Sequence, residues 1–265
     1  MEFATKPALA QNMITAALDA GAPCSWVAGD EVYGNAPQLR AELVERGIGY
    51  VLAVAKSHQI TTETGPHRAD ELAAGLATRS WRRLSAGPGA KGHRLYDWAL
   101  IETTDPAVEG VGTCGQHWLL IRRNIRTGEL AFYRAYAPTR VPLATLVGVA
   151  GRRWTVEEAF QSGNELAGLD EHQVRTWTSW HRWTLLAMLA HAFITVMAAT
   201  QPDPPPQESG LIALTRNEIR RLFSALTAAN DPYLLRHLCA RGVVWPFGGS
   251  PDVLRARPIV LPCPR

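Results

Sequence analysis

Cysteine is scarce and scattered: Cys24, Cys114, Cys239 and Cys263 form no C-x-x-C pair. That spacing argues against a zinc knuckle or a disulfide framework and suits a reducing compartment, which points to the cytoplasm. Gly (22) and Pro (18) are too few and too dispersed among 265 residues for a low-complexity chain. With 46% hydrophobic and 19% charged residues, the chain is neither disordered nor fibrous. The stretch MEFATKPALAQ has no apolar centre of the signal-peptide kind. The most apolar run, Thr184 to Ala199, is marginal for a membrane span, which needs roughly 20 residues, and it contains His191. It reads as a buried core helix, with no membrane as partner.

What is present is a charge asymmetry. Residues 1–78 carry 5 Lys and Arg against 9 Asp and Glu, whereas residues 79–140 carry 10 against 5. An acidic first segment beside a basic middle one suits a polyanion held near a metal site, and a solvated basic face explains the pattern almost as well.

Apolar spacing predicts a helix over 7–20, a short strand in SWVAGD ending at Asp30, a helix over 37–46 and a strand at YVLAVA (50–55). This alternation is the mark of an α/β layer. Residues 57–93 read as loop-rich, with a short helical piece near 70–77. Strands follow at 94–102, 117–124 and 129–137, the last two joined by a hairpin at 125–128. From Pro142 a single helix is expected to 163, then a tryptophan-rich helix ending near Ala199, a linker at 203–207, a helix over 214–226 and an irregular tail from Trp245.

Two carboxylates stand out. Asp30 closes an apolar strand, the edge at which open α/β sheets bind ligands, and a carboxylate there suits a hard cation such as Mg²⁺. Its plain alternative is a cap on the following turn. Glu157 lies mid-helix four residues after Arg153, on the same helical face; an ordinary exposed ion pair is the alternative.

The stretches ATKPALA, WVAGDEVYG, YVLAVA, LSAGPGAKGHRLYDWA, RRWTVEEAFQ, GLDEHQVRTW and LAMLAHAF occur in this order between about Phe3 and about Leu222. Together they resemble the DDE-type transposases of bacterial insertion sequences, in the subgroup with a DDE superfamily endonuclease domain. The resemblance implies an α/β ribonuclease H-like core with an antiparallel β insertion and a helical C-terminal part. It divides the chain into a first part of the core (1–56), the insertion (57–140), the last part of the core with the catalytic helix (141–200), and a linker, helix and tail (201–265). It further implies two divalent metals, Mg²⁺ or Mn²⁺, held by three carboxylates that act on DNA phosphodiesters. Asp30 matches the second of these and Glu157 the last, while Arg153 matches a residue that contacts DNA phosphate. The partners implied are insertion-sequence ends and a second or intact copy of the transposase.

The sequence departs from that pattern. Before Asp30 the only acids are Glu2 and Asp19, so the first aspartate and its strand have no counterpart. The expectation is a core incomplete at its N-terminus, weakly active or inactive, with the apolar faces of SWVAG and YVLAVA exposed. Asn164 stands where the superfamily pattern has a lysine, and is kept as a DNA-contact position; Ala150 stands in place of a tyrosine.

Weaker candidates are basic. Lys91, His93 and Arg94 lie in LSAGPGAKGHRLY, read as a flexible loop, and Arg122, Arg123 and Arg126 lie on or beside the hairpin; all could meet DNA phosphate. Trp177, Trp180 and Trp183 have core-like i,i+3 spacing, and His172, His181 and His191 form no zinc spacing. Two rival functions remain: a non-catalytic DNA-binding fragment that interferes with an intact transposase, and a metal-independent hydrolase using Asp30 and Glu157 as an acid/base pair.

Overall fold

The computed structural model describes residues 4–89, 92–108, 115–173, 175–201, 213–228 and 259–260. Two compact units divide them: residues 1–157 with 252–265, and residues 158–251. Lys91, the 203–207 linker and most of the tail from Trp245 lie outside the described residues.

In the first unit, α1 (Lys6–Asp19) starts at Thr5, whose hydroxyl accepts the Ala8 N–H. Strand β1 (Trp26–Gly29), the short α2 (Glu31–Gly34), α3 (Pro37–Glu45) and β2 (Gly49–Val54) follow, as the apolar pattern predicts. β1 and β2 pair in parallel, with Val27 opposite Tyr50 and Gly29 opposite Leu52. Alternate residues of this pair enter two different cores. Val27, Tyr50 and Leu52 pack with Ile14, Leu39 and Leu43, while Ala28 and Val51 pack with Trp98, Trp118 and Leu146. The expected exposure of SWVAG and YVLAVA is therefore corrected: Val27 and Ala28 are both 0% exposed, because helices cover one face and aromatic residues of the later strands cover the other.

Residues 57–93 are not mainly loop. They hold the hairpin β3 (Gln59–Thr62) and β4 (Gly65–Arg68), helix α4 (Ala69–Ala74), and β5 (Arg82–Gly89), a bulged strand rather than a flexible loop. Glycine and proline in RRLSAGPG lower strand propensity, but β5 gains its pairing from β6 (Gly92–Thr103). β7 (Gln116–Arg123) and β8 (Leu130–Ala137) complete a mixed sheet in the order β5-β6-β7-β8-β2-β1, and the two-residue β9 (Ile259–Val260) pairs in parallel beyond β1.

The single helix expected over 142–163 is two helices, α5 (Leu143–Arg152) and α6 (Trp154–Ala167), broken at Arg153. A Cβ built on Gly151 would lie 1.8 Å from the Ala86 carbonyl oxygen, so only glycine lets the end of α5 sit on β5.

The second unit contains the rest of α6, α7 (Trp177–Ala199) and α8 (Arg216–Ala228). Among its polar ties are Trp183 Nε1 donating to the Gly168 carbonyl at 2.9 Å and a His191–Ser162 contact of 3.1 Å. The reading of α7 as a buried core helix is overturned. Ala187 and Ile194 are its buried residues, whereas Trp177, Leu185, Leu186, Met188 and Leu189 are exposed. Trp177 and Trp180 stack on each other at the surface instead of entering a core. Apolar side chains surround α7, and its contact with α8 leaves Leu185, Leu186, Met188 and Leu189 exposed. By length and composition alone, α7 could cross a membrane.

A buried ion network ties the layers of the first unit. Asp105, 4% exposed, accepts from Arg40 Nε at 2.6 Å and lies 3.4 Å from Arg134 Nη1. Arg134 Nε donates to His58 Nε2 at 2.9 Å, so that nitrogen must be unprotonated. Burial and the Arg134 charge lower the His58 pKa from 6.5 to about 4, and burial also lowers that of His117. Burial pushes the Asp105 carboxyl up, but Arg40 and Arg134 outweigh it and hold the group below its usual range.

Two predictions follow from these contacts. As pH falls from about 6.5 to about 4, the unfolded chain takes up protons that His58 and His117 refuse, so stability declines across that window. Urea midpoints should show the decline, and His58→Gln, which keeps an acceptor but does not titrate, should flatten it. Separately, Gly151→Ala should cost about 1–3 kcal/mol by overpacking. Gly148→Ala, in the same helix with nothing within 4 Å, should stabilise by roughly 0.5–1 kcal/mol.

Candidate functional site

β1 delivers Asp30 to its C-terminal end. There the chain turns into α2, and Asp30 is its N-cap: Oδ1 accepts the Val32 N–H at 3.0 Å. Asp30 is 8% exposed and lines a pocket of about 480 Å³, within the size range of small-ligand sites. Small residues (Ala53, Ala86, Ala150, Gly151) give the pocket depth, and Tyr96, Trp98, Tyr133 and Trp154 give it aromatic walls. Its charged lining is Asp30 and Glu31 against Arg94, Arg122 and Arg153.

The α5–α6 break places Arg153 in this lining. Arg153 Nη1 donates to Glu157 Oε1 at 2.7 Å across one helical turn. Glu157 Oε2 is buried with no hydrogen-bond partner, and Glu157 itself is not part of the pocket lining. Asp30 and Glu157 are thus linked through Arg153, which shares a pocket with one and pairs with the other.

The remaining basic candidates separate by strand register. Arg122 and Arg123 are adjacent on β7 and point to opposite faces. The Arg122 guanidinium sits 4.7 Å from the Tyr96 ring centre inside the pocket, with its Nε buried and unpartnered. Arg123 instead lies 4.1 Å from the Trp81 ring centre and pairs with Asp97 at 3.2 Å. Asp97, accepting from Arg83 and Arg123, is held below the usual carboxylate range. Arg126 is exposed at the hairpin turn. Asn164 is half-buried on α6, two helical turns beyond Glu157.

Sequence reading did not find Tyr96, Trp98 and Tyr133 as pocket walls, nor the Asp105 network. Tyr96 and Trp98 share an i,i+2 face of β6 with Arg94, which is the signal that could have shown it.

A divalent metal can be tested against these donors. Mg²⁺ takes oxygen ligands and is typically held by one or two carboxylates together with substrate phosphates. Asp30 and the unpartnered Oε2 of Glu157 are donors of that chemistry. Among the described residues, no group of three or more His, Cys, Asp or Glu side chains could hold a metal ion.

Asp30 has a capping role and a charge, and the two are separable. Asp30→Ala should destabilise by about 1 kcal/mol through loss of the cap, whereas Asp30→Asn keeps an acceptor and should stay within a few tenths. Thermal denaturation of both variants checks this; equal losses would show that the charge, not the cap, matters to folding.

Comparison with known families adds one finding: residues 1–81 match the family described as DDE superfamily endonuclease, which is consistent with a transposase. No curated protein gives a significant match.

Proposed function

From the DDE superfamily endonuclease domain at its start, we propose that this chain is an insertion-sequence transposase whose ligand is DNA and whose site is the pocket around Asp30. The observation that carries the reading is the junction of strand end and helix break: Asp30 and Arg153 line one pocket, and Arg153 holds Glu157. The parallel β1–β2 pair and the carboxylate-bearing α6 support a ribonuclease H-like core.

Asp30 and Glu157 would hold Mg²⁺ or Mn²⁺. The chemistry such a metal would supply is activation of a water or hydroxyl nucleophile and neutralisation of charge on the phosphodiester. The protein's own part is electrostatic. Arg122 and Arg153 bring two guanidiniums to a pocket with low-dielectric aromatic walls, where a phosphate is bound more strongly than in water. The Arg153 bond restricts the Glu157 rotamer and leaves Oε2 as its free donor. Arg123, occupied by Asp97 and Trp81, serves the sheet rather than DNA in this reading.

A second reading has an observation in its favour. Three arginines against two carboxylates make the lining net positive, which suits phosphate binding without cleavage. The chain would then occupy transposon ends without cutting them.

The test is a nicking assay on supercoiled DNA with Mg²⁺ or Mn²⁺, beside a salt-titrated binding assay. Transposase chemistry predicts metal-dependent nicking that falls about a hundredfold or more in Asp30→Asn and Glu157→Gln. Arg122→Ala should weaken binding and lower the slope of log affinity against log salt by about one. Binding without nicking would select the second reading, and absence of both would sink the DNA assignment.

A further inference from the structure

Arg94 occupies a position that its neighbours are shaped to receive. It stands on β6, and its Nη2 donates to two carbonyls: Ala86 on β5 at 3.3 Å and Gly151 at the end of α5 at 3.2 Å. The last carbonyls of a helix lack intrahelical partners and carry partial negative charge, so a cation fits there. Gly89 makes space for the stem: a Cβ there would lie 3.0 Å from Arg94 Cγ and 3.3 Å from Cδ, whereas Gly87 serves the backbone, at φ +106°. The β5 bulge between Ser85 and Pro88 is thus folded around the stem of this arginine. The close approach of Gly151 to Ala86 closes the same clasp from the helix side.

Two residues beyond Gly151 the helix breaks at Arg153, which holds Glu157. We infer that Arg94 is a positioning residue: by binding β5 and the end of α5 at once, it fixes the α5–α6 junction and so aims Arg153 and Glu157. The inference rests on the reading of this pocket as a DNA phosphate site. Arginine suits the task because Nη2, with two N–H donors at the end of the longer side chain, reaches both carbonyls at once; the lysine ammonium ends one bond shorter and falls short of them.

Arg94→Lys keeps the charge and Arg94→Ala removes it; Lys is the milder change should the Ala variant fail to fold. Two readouts are needed on the full chain: backbone amide exchange at Arg153–Glu157, and affinity for a short DNA duplex. Both variants should exchange faster at Arg153–Glu157 than the wild type, with β1 and α2 unchanged, and should bind DNA on the order of tenfold more weakly. Unchanged exchange in folded Arg94→Lys would overturn the inference. Faster exchange with wild-type DNA affinity would also overturn it, leaving Arg94 a clasp with no bearing on the site. If the wild type binds no DNA, the phosphate reading fails and takes this one with it. If the wild type binds and Arg94→Lys binds equally well, this inference alone fails.

Discussion

One carboxylate, Asp105, answers two buried guanidiniums, and the architecture of the first unit depends on it. Arg40 comes from α3, Arg134 from β8, and Asp105 from the turn after β6. The contact therefore fastens the helical layer next to β1 to the antiparallel strands added on the far side of β2. Such a buried pair adds little net stability over an apolar replacement, yet removing one member costs about 3–5 kcal/mol, because the other charge is left unpaired. Its value is geometric. It holds a helix, a turn and a strand, distant in sequence, in one arrangement.

Beside it, the pocket assembles from separate segments: the end of β1 with the start of α2, β2, the bulge of β5, β6, the end of β7, β8 and the α5–α6 break. None of these is a ligand motif on its own. Charge of both signs meets there within aromatic walls, and each arginine is restrained differently: Arg94 by carbonyls, Arg122 by the Tyr96 ring, Arg153 by Glu157. A restrained cation loses less entropy on meeting a phosphate than a free one.

The parts legible in the sequence were those with strong local signals. β1, β2 and α3 carried apolar runs with clean stops, and Asp30 stood where a strand ended. What escaped was decided by contacts between segments. β5 is rich in glycine and proline and becomes a strand only because β6 lies beside it. The break at Arg153 follows from the meeting of Gly151 with Ala86, sixty-five positions apart, which no window of sequence contains. The apolar composition of α7 suggested burial, but composition does not say whether enough neighbours exist to cover a helix that is apolar on every side.

The alternation of Arg122 and Arg123 has a consequence for how such a site can change over generations. Because strand neighbours face opposite ways, sliding β7 by one residue would send Arg123 to the pocket and Arg122 to Trp81 and Asp97. Every other residue of β7 would change sides with them, and the buried Leu119 and Ile121 would trade places with Trp118 and Leu120 between the two cores. Insertions or deletions in the 124–129 hairpin are thus not neutral loop variation: an odd one must be absorbed in the turn or it rewrites both the core and the charge of the pocket. The hairpin length is a hidden part of the site.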